Sequence, residues 1–296
     1  MKLGSDCMTK DKIAVFCDSG CDVDAQFVQD HNIFVFPLSI NYLDGTFKSG
    51  VDITTDEVIN RFKTEIPTTS LPSPILIEET LLKAKEQGYN KGLYVGISSG
   101  LSGTLQTVSL MANSIEDFDV SVVDTKSIGG AAGLTVKAAC EMVEEGIEFD
   151  LLQQKLEDLA SKTSVYFVCK SLEYLHKGGR IGDATYKLGT TLNIMPVITC
   201  SSSGSYVTTK KARGINKALK YEVSMTNSRM EKYEHLRIVI CDTKESECFE
   251  ELKEMLLKRL PQQDIVFTRS SISAALVVHT GPEIVGVAAQ PDWHTI

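Results

Sequence analysis

Short runs of β-branched and apolar residues alternate along this chain with longer stretches whose apolar positions recur at helical period. The strand-like runs fall at residues 12–17, 33–40, 92–97 and 120–124, then at 164–169, 194–200, 236–241, 265–268 and 283–288. Amphipathic segments fill the intervals, the arrangement expected of parallel βα units, so the pattern predicts an α/β fold. Two helix starts are explicit. Thr54-Thr55-Asp56-Glu57 sets hydroxyl and acidic groups ahead of residues 58–63, and Ser102 stands just before an apolar stretch at 105–111. A helix carrying Leu151, Leu152, Leu156 and Leu159 leads out of the first strand series, which puts a domain boundary near residue 160. The expected organisation is an N-terminal α/β domain on a parallel sheet over 12–160 and a smaller α/β domain over 161–290.

Composition narrows the function more than the fold. The 296 residues suit one large or two medium domains, and 43% hydrophobic with 23% charged residues excludes a disordered, collagenous or coiled-coil chain. A net charge of -9 argues against binding to nucleic acid or anionic membranes, both of which need a basic face. Eight cysteines are spread through strand-like and helix-like segments, which reads as a reduced, cytoplasmic chain. Cys17 and Cys21 lack a second pair at zinc spacing and the histidines form no HExxH, so no metal is implied. The residues before Lys12 read as a loose polar leader, the apolar run after them is too short for a signal peptide, and nothing is long enough to span a membrane.

Four loops at predicted strand ends are rich in hydroxyl and glycine residues. Asp18-Ser19-Gly20 ends the first strand and either caps a helix or meets a ligand. In Pro67-Thr68-Thr69-Ser70-Leu71-Pro72-Ser73-Pro74 the prolines hold adjacent hydroxyls in extended geometry. Ser98-Ser99-Gly100-Leu101-Ser102-Gly103-Thr104 opens a helix, where free N–H groups and the dipole favour an anion and Ser102 adds a hydroxyl. The last spaced glycine of a GxSxG elbow is missing here, and the chain contains no GxxxxGK[ST] or GxGxxG, which weakens serine hydrolase and P-loop kinase alike. The fourth loop, Lys177-Gly178-Gly179-Arg180, makes a tight turn expected to throw Arg180 outward, either to an anion or to close the turn on carbonyls. His279 is a lone histidine on an apolar segment, read as a core group or a ligand contact, and the basic stretch around residues 210–220 as a solvated face.

In chain order these segments resemble the DegV family of bacterial fatty-acid-binding proteins. The resemblance rests on Asp18-Ser19, Pro37-Leu38 with Asp44-Gly45, the 67–73 loop, the 98–104 turn, Tyr174-Leu175 through Gly178-Gly179-Arg180-Ile181, Leu192-Asn193-Ile194 with Pro196, and Lys211 with Arg213, and it covers residues 12 to about 288. It implies a DegV-like two-domain architecture holding one long-chain, palmitate-like fatty acid between or within the domains. It also implies a carrier that is not an enzyme and has no cofactor, presenting the lipid carboxylate to a separate ATP-binding fatty acid kinase. The family's carboxylate contacts fall on Thr69 and Ser102, with Thr68, Ser70 and Ser99 as neighbours and His279 as a further contact. Arg180 matches a position tied to turn structure and kinase contact. The chain departs from the family at Leu71, where many members carry glutamine, and in its ending at 290–296. Competing readings are a lipid that is purely structural in a regulatory module, and a serine esterase built on Ser102 and His279.

Overall fold

The computed structural model describes residues 11–189, 194–243 and 248–296; the polar leader and Leu192-Asn193 of the family pattern lie outside the described residues. From its start the chain runs through β1 (Ile13–Asp18), α1 (Ala25–Asp30), β2 (Phe34–Phe36), β3 (Ser39–Tyr42), β4 (Gly45–Lys48), α2 (Thr55–Arg61), β5 (Thr68–Ser70), α3 (Pro74–Glu86), β6 (Lys91–Gly96), α4 (Thr104–Ala112), β7 (Asp119–Asp124), α5 (Gly130–Glu144) and α6 (Phe149–Lys162). It continues through β8 (Ser164–Cys169), α7 (Glu173–Lys177), α8 (Asp183–Gly189), β9 (Ile194–Cys200), β10 (Tyr206–Arg213), α9 (Ile215–Met230), β11 (His235–Asp242), α10 (Cys248–Arg259), β12 (Asp264–Ser271), α11 (Ala274–Thr280) and β13 (Ile284–Pro291).

The fold is α/β. Strands β2-β1-β6-β7 form a parallel sheet, as the alternating pattern predicts. Strands β4-β3-β5 form a small antiparallel sheet that the pattern does not predict, because the expected strand at 33–40 breaks at Pro37-Leu38 and its two pieces join different sheets. The third sheet, β10-β9-β8-β13-β11-β12, corrects a further expectation. β13 inserts between β8 and β11 antiparallel to both, β9 and β10 form a hairpin, and β11 and β12 pair parallel. Apolar periodicity marks a strand but not its neighbour, so a mixed sheet and parallel βα units look alike in sequence.

At the carboxyl ends of β1 and β6 the buried Asp18 carboxylate ties the turns together. It accepts from Gly20 N at 2.9 Å, Ile97 N at 3.0 Å and the Tyr94 hydroxyl at 2.8 Å, so Asp18 holds the scaffold. Beyond these ends the β9–β10 hairpin tip closes onto the 98–100 turn: Gly204 (φ 82) approaches so closely that a Cβ there would lie 1.8 Å from Ser98 Oγ. Helix α11 reaches back to pack on α2, β3 and β5, and one apolar core joins Ile40 and Val58 to Leu175 and Val277. The ending is anchored too, with Trp293 Nε1 donating to Glu141 at 2.9 Å and Arg237 bridging Glu141 and Asp292.

Candidate ligand-binding site

Strand alternation sorts the three hydroxyls of the 68–70 segment. Pairing of Thr69 with Ile40 fixes β5 in the small sheet, so Thr69 turns inward while Thr68 and Ser70 are exposed. The 97–103 turn is wound tightly: Leu101 N and Ser102 N both donate to Ser98 O, at 3.0 and 3.1 Å. Helix α4 follows with Gly103 at its N-cap and no side-chain cap, and Ser102 Oγ lies 2.8 Å from Thr104 Oγ1.

His279 comes from the opposite side, near the end of α11, and its Nε2 is 2.7 Å from Thr69 Oγ1. Its ring is buried, and burial first, then the nearby Arg180 charge, lowers its pKa to about 3, so the imidazole is neutral at physiological pH. Nδ1 is buried without a partner among the described residues. The ring fits because residue 178 is glycine; a Cβ there would lie 2.1 Å from Nδ1.

Arg180 departs from the expected outward pose. Gly179, at φ 73, folds the chain back so that Arg180 N donates to Leu175 O at 2.9 Å. The guanidinium is half-buried and donates to the carbonyls of Gly178 and Leu101, which closes the turn across the two parts of the chain.

Thr69, Ser70, Ser99, Ser102, Arg180 and His279 all border one cavity of about 500 Å³, a volume in the range of small-molecule sites. Thr68 is not on its wall. Leu71, Ile97, Ile128 and Leu276 make much of the apolar lining, so the residue that departs from the family pattern faces the cavity. Two hydroxyls are already engaged: Ser70 Oγ accepts from Asn41 at 3.2 Å and Ser99 Oγ from the Lys126 ammonium at 3.0 Å. Thr69 and Ser102 are engaged as well, Thr69 with His279 and Ser102 with Thr104. Sequence reasoning missed Tyr206, whose ring borders this cavity and also a smaller chamber of about 40 Å³ behind it. No local motif marks Tyr206; it arrives through the hairpin docking at Gly204. Among the described residues no cluster of His, Cys, Asp and Glu could hold a metal ion, and no helix is long and apolar enough to cross a membrane.

The family model described as uncharacterised protein, DegV family, matches residues 12–292. A DegV domain-containing protein of Clostridium perfringens is 32% identical over 282 residues, covering 95% of this chain and 99% of that protein. Among solved structures, a Thermus thermophilus DegV-family protein described as fatty acid binding superposes with a TM-score of 0.86 at 30% identity, covering 94% of this chain and 99% of that one. A stearic acid-binding protein of Eubacterium ventriosum shares the fold, with a TM-score of 0.86 at 24% identity over 96% of this chain and all of its own.

Proposed function

The chain belongs to the DegV family, and on that premise we propose that its cavity carries one long-chain fatty acid, the carboxylate held by Thr69 and Ser102 and the tail along the apolar wall. The observation that carries this reading is the pairing of Thr69 with a neutral, buried His279 at the hydroxyl-lined end of an otherwise apolar cavity. The relative in Thermus thermophilus, described as fatty acid binding, supports it. The two ends of such a ligand make opposite demands. Burying some 14 methylenes at about 0.8 kcal/mol each gives an upper bound near 11 kcal/mol of affinity. A carboxylate moved out of water without donors loses several kcal/mol of that. With its proton on Nε2, His279 donates to Thr69 Oγ1, which leaves the Thr69 hydroxyl proton for the ligand. Ser102 supplies a second donor, and Arg180 adds positive charge without leaving its carbonyls.

A carrier role fits better than an esterase. Ser102 lies against Thr104, while His279 is paired with Thr69 and has no acid at Nδ1 among the described residues, so the nucleophile–base–acid relay is not assembled there. Hydroxyl clamping leaves one carboxylate oxygen open to a phosphoryl donor, and we place that donor on a separate ATP-binding kinase. Mass spectrometry of lipid extracted from the purified protein should return a long-chain fatty acid that exchanges with added labelled acid. A tightly held lipid that does not exchange would favour the structural role, and acyl phosphate formed by this chain alone from ATP and magnesium would overturn the carrier reading.

A further inference from the structure

Past β13 the chain makes one turn of 3-10 helix, Trp293–Thr295, which opens on the only tryptophan of the sequence. The family model matches as far as residue 292, and the residues after it do not border the cavity. Asp292 caps the turn, its Oδ1 accepting from His294 N at 3.0 Å. The turn lies on the end of α5, where Trp293 Nε1 donates to Glu141 Oε2 at 2.9 Å.

His294 joins the two. Its Nδ1 is 2.7 Å from Asp292 Oδ1 and its Nε2 is 2.8 Å from Glu145 Oε1, so each ring nitrogen faces a carboxylate. An ionised carboxylate only accepts, and a neutral imidazole has a single N–H; the imidazolium, with two, satisfies both contacts. Two further features favour the charged ring. Glu145 is the C-cap of α5, at the negative end of the helix dipole, and the indole of Trp293 stacks on the imidazole with centroids 3.9 Å apart. The other charged groups of these elements are paired: Arg237 of β11 with Glu141 and Asp292, Glu144 of α5 with His31, and His235 of β11 with Asp264.

We propose that His294 is a proton-operated clasp, which as imidazolium fastens the segment after β13 to the end of α5 and on losing its proton lets go of Glu145. In the neutral ring one nitrogen lone pair would face a carboxylate at 2.7 or 2.8 Å, so one contact must break. Asp292 is two residues away in the same turn and keeps the remaining N–H; the bond to Glu145, which spans the chain, is the one that opens. The bonds from Glu145 and Asp292 raise the His294 pKa above its ordinary value of about 6.5. The clasp is therefore closed below that pH and opens as the pH rises through the raised value. This device does not depend on what the cavity binds.

Trp293 reports on the clasp directly. In the purified full chain, acrylamide quenching of tryptophan emission, followed from about pH 5.5 to 9, should rise in one step with its midpoint above about 6.5. His294→Gln should show high quencher access at every pH. His294→Lys, a cation that does not titrate in this range, should keep access low throughout. Glu145→Gln should lower the midpoint by about half a unit, the worth of one exposed ion pair. Quencher access that stays constant with pH in the wild-type protein overturns the proposal, and so does a step that persists in His294→Gln or a midpoint that Glu145→Gln leaves in place. The side chains of His294 and Glu145 are 44% and 50% exposed, so these substitutions leave the core intact.

Discussion

Among the described residues, Thr69 Oγ1 pairs with the His279 ring, and Ser102 Oγ pairs with Thr104, whose hydroxyl lies 2.8 Å away and whose N–H donates at 3.3 Å. Ser102→Ala is expected to weaken fatty-acid binding by about 1.5–3 kcal/mol, the worth of a hydrogen bond to a charged group, with the fold unchanged by circular dichroism. Unaltered affinity in a calorimeter would remove Ser102 from the head site. Two buried titratable residues, His279 and Asp22, push stability in opposite directions with pH. The folded pKa of His279 is about 3 against about 6.5 unfolded, so its contribution is intact above pH 6.5 and lost as the pH falls toward 3. The folded pKa of Asp22 is about 7 against about 3.9 unfolded, so its contribution is full below pH 4 and lost as the pH rises through 7. Relative to the wild-type protein, Asp22→Asn should therefore gain stability between pH 4 and 7, and His279→Gln should gain it as the pH drops below 6.5. Urea midpoints across that range check both signs, and parallel curves for variant and wild type would contradict them.

At the scale of elements, the site depends on how closely α11 can approach the turn after α7. Gly178 has an ordinary helical backbone, so Gly178→Ala carries no conformational penalty, yet its Cβ would fall 2.1 Å from the His279 ring. Gly179→Ala is the reverse case: space is open around it, but φ 73 strains an L-residue by about 1–2 kcal/mol. Gly178→Ala should cost fatty-acid affinity by parting His279 from Thr69, and Gly179→Ala should cost mainly stability, which titration and thermal unfolding of the two variants separate. Equal loss of affinity in both would mean that the turn, not the ring contact, matters. This level is also where the sequence was least legible. The strands of the parallel sheet and the hydroxyl loops can be read from alternation and from the small residues at strand ends. That β5 is a strand cannot, since a three-residue strand in a proline-bounded loop carries no period, and without it nothing says that Thr69 faces in and Thr68 out. For Arg180 the two glycines announce a sharp turn but not its direction; the bond from Arg180 N to Leu175 O sets it, and the guanidinium takes the turn-closing alternative on the carbonyls of Gly178 and Leu101.

On the scale of the whole molecule, the cavity is a seam. Its walls come from β5 and the 97–103 turn on one side and from Arg180, Tyr206 and α11 on the other, so a ligand there contacts segments that share few covalent constraints. The shared apolar core reaches the wall of this space through Leu38, Ile97, Ile128 and Ala275, and among the described residues the links across the seam include Thr69 to His279, Arg180 to Leu101, and Gly204 against Ser98. A ligand that binds only the folded chain stabilises it by RT ln(1 + [L]/Kd), about 2.7 kcal/mol at a hundredfold excess over Kd, which for a chain of this length is a rise of several degrees in Tm. Removing the lipid should lower Tm by that order, and titrating fatty acid back should restore it in a concentration-dependent way. The loss should also be local. Amide exchange should quicken in β5, the 97–103 turn, α11 and the β9–β10 hairpin tip, while β1, β6, β8 and β13 at the sheet centres keep their protection. Exchange that quickens equally in the sheet centres would show that the lipid is built into the core as a structural element, and that outcome would count against a carrier that must release its cargo.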